Sequence, residues 1–229
     1  MGTYKRLPRG KPKSHDEFKD WSLHTLMWIK NHWVSAVELV AVGVLAFAVM
    51  FGAKAYGEYR AKAGAEAVYG AEKLAADSDE QMAALEEIAE DYSRYFAGKR
   101  AMMELGEMLV AKGASEDAIE NFRRLADGSR NQPILRIAAL YKLAEAQLAA
   151  GDVRGAAETY RKAAADPGNL MSLTSELLAA ACLERAEDYD AAAELYRRII
   201  EDAGDDDAVV RSLSEERLLW LAANNQVDG

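Results

Sequence analysis

A pattern that returns every 34 to 38 residues constrains the fold of this 229-residue chain more than any other feature. Each copy combines a small residue in one apolar segment with an alanine and an apolar, usually aromatic, residue in the next. The clearest copy is MMELGEMLVAKGASEDAIENFRRL, and its Ala118 corresponds to Ala84, Ala156 and Ala192, at separations of 34, 38 and 36 residues. Apolar residues recur at helical spacing, and no sustained alternation of β-branched residues indicates a strand. The sequence therefore predicts an all-α chain of repeated helix pairs, with a degenerate first copy.

The pattern resembles the tetratricopeptide repeat, a helix–turn–helix unit of about 34 residues. Small residues let the two helices of a unit approach closely, and an aromatic residue fills the space beside them. The aromatic residues are Phe122, Tyr160 and Tyr196. Each unit leaves one face uncovered, so the units are expected to stack into an α-solenoid closed by a capping helix at residues 208–224. The residues expected to dock this helix are Leu218, Trp220 and Leu221.

In this repeat, the first helix of each unit lines a concave protein-binding groove. The positions that correspond to it here are Arg100, Met103, Glu107, Val110, Ala138, Tyr141, Glu145, Leu148, Thr174, Leu177, Ala181 and Glu184. The resemblance thus implies an apolar groove with interspersed acids, without the row of Lys, Arg and Asn that clamps a terminal carboxylate. Such a surface suits a loosely specified peptide or an amphipathic helix of a partner. The alternative is that several of these side chains pack against neighbouring helices.

Residues 33–53, WVSAVELVAVGVLAFAVMFGA, carry a single charge, Glu38. At 1.5 Å per residue, this run is long enough to cross a hydrocarbon core of ~30 Å as one helix. Residues 1–32 hold seven Lys and Arg, against four in the twenty residues after the run. This bias predicts a cytoplasmic N-terminus, with the large domain in the periplasm of a bacterial inner membrane. The alternative is a cleaved signal peptide, because Ala46-Phe47-Ala48 resembles a small-residue cleavage site.

The domain organisation predicted from these features has four parts. They are a basic cytoplasmic tail with an interfacial helix (1–32), a transmembrane helix (33–53), a linking helix with the start of the degenerate repeat (54–78), and the repeat domain with its capping helix (79–229). Trp21, Trp28 and Trp33 are expected to anchor the chain at the headgroups. Glu38 is expected either to snorkel to the headgroups or to pair with a basic group of another membrane subunit.

Charge and residue types exclude several classes of function. The chain has a net charge of −10, and residues 1–32 carry +4, which leaves −14 for residues 33–229. Nucleic acid or anionic lipid is therefore disfavoured as the partner of the large domain.

No catalytic or cofactor-binding constellation is recognisable in the sequence. The histidines His15, His24 and His32 lie in the tail, at spacings that fit no metal pair on one helical turn. Cys182 has no partner for a disulfide within the chain and is expected to be a buried, inert thiol. No nucleophile with a base and no phosphate-binding loop is present, so neither an enzyme, a cofactor nor a metal is expected.

Three further segments carry a resemblance to a more specific family. An aromatic-basic segment precedes the apolar run (FKDWSLHTLMWIKNHWVSAVELVAVGVLAF), a helix with small residues follows it (AKAGAEAVYGAEKLA), and IAEDYSRYFAGKRAMMELGEML leads into the repeats. This layout resembles the YfgM-type proteins, ancillary subunits of the bacterial Sec translocon. The resemblance implies an anchor beside the translocon, and periplasmic repeats that bind chaperones or emerging secreted polypeptides. The alternative is a structural accessory subunit of another multi-subunit membrane complex.

Overall fold

The computed structural model describes Met27, residues 33–224 and Val227. Within this part of the chain the structure consists of helices and turns, without a strand. The helices are α1 (Trp33–Ala71), α2 (Asp79–Asp91), α3 (Phe96–Ala111), α4 (Ser115–Gly128), α5 (Pro133–Ala149), α6 (Val153–Ala164), α7 (Ser172–Arg185), α8 (Tyr189–Asp202) and α9 (Ala208–Ala223). The predicted all-α solenoid class is confirmed.

The chain divides into two compact units, Met1–Glu58 and Tyr59–Gly229. In the first unit, every described side chain from Trp33 to Ala53 is exposed, including Glu38. Among the described residues, α1 is the one helix long and apolar enough to cross a membrane. The expected anchor residues Trp21 and Trp28 lie outside the described residues.

In the second unit, each helix from α2 to α9 packs against the next along the chain. The pairs α3–α4, α5–α6 and α7–α8 correspond to the three clear copies of the sequence pattern. The end of α1 and α2 form the degenerate first pair, in which Val68, Ala71 and Leu85 belong to the core.

The starts of three helices follow from local chemistry. The Ser78 hydroxyl accepts a hydrogen bond from the Gln81 N–H at 3.1 Å and so caps α2. The Asp152 carboxylate accepts one from the Gly155 N–H at 2.9 Å at the start of α6. Helix α5 begins with Pro133, whose missing N–H is not needed at that position.

The seam between the two helices of a unit explains the repeated residue types. In the α3–α4 seam, a Cβ placed on Gly106 would come within 2.4 Å of the Phe122 ring, so only glycine fits. Ala118, across the same seam, is fully buried. The α5–α6 and α7–α8 seams repeat this arrangement, with alanine in the place of Gly106 and tyrosine in the place of Phe122. Their buried residues are Ala144, Ala156, Tyr160, Ala180, Ala192 and Tyr196.

The turn inside each clear unit has one conformation. Gly113 and Gly151 have φ angles of +77° and +84°, and Glu187 has +60° at the corresponding position. After each of these residues, a backbone N–H donates to a carbonyl five residues earlier, as Asp188 does to Leu183 at 2.9 Å. The α7–α8 pair therefore makes the same turn without glycine.

The core lies along the stacked helices as two clusters. One contains buried residues from α1 to α5 with Ala163, and the other runs from Ala144 in α5 to Leu221 in α9. Tyr141 packs against both clusters. Cys182 is buried in the second cluster, and burial raises the pKa of its thiol, with a smaller opposing effect from Arg185.

The capping helix α9 docks with only part of its expected face. Leu221 is fully buried and Leu218 is half-buried, because residues three apart share one face of a helix. Trp220 lies about 100° around the helix from Leu221 and remains 45% exposed, so its expected docking role is wrong. Its ring instead packs beneath the Arg217 guanidinium, at 4.9 Å.

Candidate protein-binding groove

The first helices of successive repeat units, α3, α5 and α7, form the surface on which the sequence places the groove, and α9 extends this surface. Side-chain bonds connect neighbours along it. Lys142 of α5 pairs with Glu107 of α3 at 3.1 Å, and the Tyr141 hydroxyl lies 2.6 Å from that of Ser175 on α7. Arg217 of α9 pairs with Glu184 of α7. We call this surface the groove surface, and two of its clefts differ in character.

The α3–α5 cleft has a volume of about 280 Å³ and a charged rim. Its walls include Val110 and Phe122. The Lys142 ammonium bridges Glu107 at 3.1 Å and Glu145 at 3.2 Å. The hydrogen bond to Glu107 is the main reason that the pKa of Lys142 lies above its ordinary value, while partial burial opposes the shift. Both predicted acids are thus held by a lysine that the sequence mapping did not include.

The α7–α9 cleft is larger, about 460 Å³, and mostly apolar. Its lining residues are Leu177, Leu178, Ala181, Glu184, Arg185, Tyr189, Tyr196, Leu213, Arg217 and Trp220. Leu213 and Trp220 remain 44% and 45% exposed, and Leu177 is half-buried. Apolar side chains of this size, open to solvent at the mouth of a cleft, are typical of surfaces that bind a partner.

One polar cluster lines the α7–α9 cleft. The Glu184 carboxylate receives two N–H groups of Arg217 and the Tyr196 hydroxyl, the last at 3.1 Å. The hydrogen bond to Glu184 raises the pKa of Arg217. Burial, and then the Glu184 charge, raise the pKa of Tyr196 far above its ordinary range. Because the carboxylate already accepts three hydrogen bonds from within the chain, Glu184 orders the cleft rather than offering a free charge to a ligand.

Arg100, the first predicted groove residue, lies at the N-terminal end of the groove surface. Its guanidinium pairs with Glu104 at 2.9 Å and also with Glu72. The hydrogen bond to Glu104 raises the pKa of Arg100, while desolvation lowers it. This side chain is half exposed and lines a small cleft beside Val68 and the aromatic Phe96.

The apolar residues predicted for the groove are half-buried. They are Met103, Val110, Tyr141, Leu148 and Leu177. Tyr141 packs its ring edge-on to Tyr160 at 5.4 Å, and its hydroxyl is bonded to Ser175. It therefore links neighbouring helices, as the packing alternative proposes. Of the remaining mapped positions, Ala138 and Ala181 are exposed and Thr174 is half-buried.

Sequence mapping missed the contribution of α9. Leu213, Arg217 and Trp220 are separated by four and three residues, the spacing of the mapped positions in the earlier first helices. They lie 36 residues after Leu177, Ala181 and Glu184. Extending the repeat by one more unit predicts these three groove positions. They were missed because α9 was treated only as a capping helix.

Known sequences and structures match the same repeat. The pattern of a tetratricopeptide repeat-like domain matches residues 27–167, and that of a tetratricopeptide repeat matches residues 175–205. No curated protein sequence matches the chain at a significant level.

Two crystal structures resemble the chain at low sequence identity. A protein described as a kinesin light chain with nearly identical TPR-like repeats, from Podosopora anserina, is 16% identical over 73% of this chain and 86% of its own, with a TM-score of 0.49. The apo form of RapI is 14% identical over 72% of this chain and 52% of its own, with a TM-score of 0.45. Likeness at this level says nothing about function.

Tetratricopeptide repeats are protein–protein interaction modules, and domains of this kind are typically non-catalytic scaffolds. The first family match spans more than half of the 229 residues, and the seams and turns of the second unit follow the same repeat. The chain belongs to the tetratricopeptide repeat-like domain family.

Proposed function

We propose that this chain is a membrane-anchored interaction subunit of the protein translocon, and that its groove surface binds chaperones or emerging secreted polypeptides. The observation that carries the binding role is the α7–α9 cleft, where Leu213 and Trp220 remain open to solvent beside a cluster of polar side chains bonded to one another. The translocon assignment rests on the resemblance of the chain to YfgM-type proteins.

The distribution of charge on the groove surface favours an apolar client segment. Arg100, Lys142 and Arg217 are each paired with a carboxylate of this chain. A ligand that needs a free cation, such as a terminal carboxylate, would have to break one of these pairs. An apolar side chain that enters the α7–α9 cleft breaks none and gains the burial of Trp220.

The membrane anchor allows weak contacts between the groove surface and a client to be sufficient for binding. With α1 in the inner membrane, the tail in the cytoplasm and the repeats in the periplasm, the groove surface stays close to any complex in the same membrane. Tethering raises its effective concentration there, so a loosely specified client is bound without high intrinsic affinity.

Capture from the native membrane tests this proposal. Full-length protein is isolated in mild detergent, and the proteins recovered with it are identified and quantified by mass spectrometry. We expect translocon channel subunits together with periplasmic chaperones. Trp220→Ala should reduce recovery of chaperones and clients by about tenfold, since a central tryptophan contributes roughly 1.4 kcal/mol or more to binding. Channel subunits, held through the anchor, should be recovered equally.

Two comparisons make the result specific to the groove surface. Leu219→Ala changes the neighbouring residue of α9, which is 72% exposed and lines a different cleft, and it should leave recovery unchanged. Met103→Asp and Leu148→Asp should reduce client binding as Trp220→Ala does, provided that circular dichroism shows an intact fold. Stoichiometric recovery of another complex, unaffected by all of these variants, would instead identify a structural accessory subunit.

A further inference from the structure

The turns that connect one repeat unit to the next lie along one edge of the compact unit Tyr59–Gly229. Three bonds connect the first helix of a repeat unit to the end of its second helix or to the turn that follows it. Arg60 donates to the Asp91 carbonyl at 2.6 Å, and Lys99 donates to the Gln132 side chain at 3.2 Å. Arg136 pairs with Asp166 at 2.7 Å. These bonds connect the turns between repeat units into one border. We call this border the inter-unit edge, and it consists of residues 92–96, 129–134 and 165–171. The chain enters the second unit at the same edge, near Tyr59.

An exposed apolar side chain marks each of these turns. Phe96 begins α3, Ile134 is the second residue of α5, and Leu170 and Met171 precede α7. Ile134 is 84% exposed and Leu170 is 99% exposed, so these side chains contribute almost nothing to the core. A single exposed apolar residue is ordinary, but its return at the same place in successive units is not.

The opposite edge, formed by the turns inside each unit, provides the contrast. These turns are residues 72–78, 112–114, 150–152 and 186–188, all within the part of the chain that the structure describes. None of their residues is an exposed large apolar side chain. The two edges therefore differ in character although they belong to the same helices.

We propose that the inter-unit edge is a lipid-contacting surface, with Phe96, Ile134, Leu170 and Met171 inserted among the headgroups of the membrane that holds the anchor. This inference rests on the anchoring part of the proposed function and is independent of the groove surface. These apolar side chains lie on separate turns rather than in one groove. A bilayer surface can accept separate apolar side chains, whereas a protein partner needs a continuous pocket. The apolar run ends at residue 53, only six residues before Tyr59 in the sequence, so the chain enters the unit close to its own membrane segment.

Charge on the same turns agrees with a lipid occupant. Arg94 is exposed beside the apolar side chains, and its guanidinium group matches headgroup phosphates, whereas the exposed Arg130 is paired with Asp127 at 3.0 Å. The turn before α9 contains Asp205, Asp206 and Asp207 and is therefore not part of the surface, although Val209 is exposed next to it. Because residues 33–229 carry −14, the contact depends on apolar insertion and does not require anionic lipid.

Fluorophores attached to single cysteines test this surface in the full-length chain. Ile134→Cys and Leu170→Cys place a polarity-sensitive label on the inter-unit edge, and Ala150→Cys places the same label on an exposed turn of the opposite edge. Cys182 is buried, so the unsubstituted chain gives the labelling background. Each protein is reconstituted into zwitterionic phosphatidylcholine vesicles, with or without an acyl-chain nitroxide lipid.

We expect blue-shifted emission and at least twofold stronger nitroxide quenching for labels at positions 134 and 170 than for the label at 150. Equal quenching at all three positions, in chains that float with the vesicles, would overturn the lipid-contacting surface and leave the anchor intact. Chains that fail to float would overturn both. Shielding of positions 134 and 170 in native membranes, but not in pure lipid, would assign the edge to a protein partner and also overturn this proposal.

Discussion

The seam inside each repeat unit and the groove surface between units are built from the same helices, yet they follow different rules. The seam is fully buried and closed by a small residue against an aromatic ring, as Gly106 is against Phe122. The groove surface combines half-buried apolar residues with paired charges such as Glu184 and Arg217. A seam therefore tolerates almost no change in volume, whereas the groove surface can change its side chains while the fold persists. This separation lets one solenoid acquire different partners.

Gly106→Leu should have the largest effect, because it places a side chain where the Phe122 ring already lies. We expect the free energy of unfolding to fall by about 3 kcal/mol, the upper range for overpacking a tight contact. Urea denaturation followed by far-UV circular dichroism in mild detergent measures the change. Gly128→Ala is the matched control, since nothing lies within 4 Å of a Cβ at that helix end. A loss of stability that is equal in the two variants would show that the seam is not sterically closed.

Arg217→Met should have an intermediate effect, because it leaves the Glu184 carboxylate, whose side chain is 13% exposed, without its main partner. We expect a loss of about 1–2 kcal/mol, less than for a fully buried pair because Arg217 itself is partly solvated. Arg123→Met removes an exposed pair with Glu120 on α4 and should change stability by less than about 0.5 kcal/mol. Equal effects in the two variants would mean that the polar cluster does not order the α7–α9 cleft.

Glu187→Gly should have the smallest effect and the opposite sign. Glu187 has a φ of +60°, a conformation that glycine adopts freely and glutamate does not. We expect the variant to gain about 0.5–1 kcal/mol. Glu158→Gly, in the middle of α6, should instead lose about 1 kcal/mol. Thermal melts of both variants decide the matter, and a destabilised Glu187→Gly would show that the side chain of Glu187 stabilises the turn.

These differences explain which features could be predicted from the sequence. Ala118, Ala156 and Ala192 recur because the seam imposes the same volume in every unit, and a repeated volume constraint is visible in one sequence. The ion pairs Glu107–Lys142 and Glu184–Arg217 join residues about 35 positions apart, and no local rule selects those partners. The membership of the groove and the bounds of the domains remain predictions.

The burial of Trp220 is a second feature that could not be predicted from the sequence. An aromatic residue near the end of a helical solenoid suggests docking on the last repeat, and Leu221 does dock there. The orientation of α9 decides which of the two neighbouring residues is buried. That orientation is set by packing against α8 and α7, which the sequence of α9 alone does not contain.

Because Cys182 is buried, the rate at which its thiol is modified can report how often the last repeat unit opens. In a stack where each unit contacts only its neighbours, the terminal units open more often than the middle ones. Cys182 lies in the last complete repeat unit and is buried, so we expect its thiol to react with a soluble reagent when that unit opens. The modification rate under native conditions therefore measures the opening equilibrium of the unit that forms the α7–α9 cleft. A client bound in that cleft should slow the reaction, so occupancy of the groove can be followed without attaching a label to it.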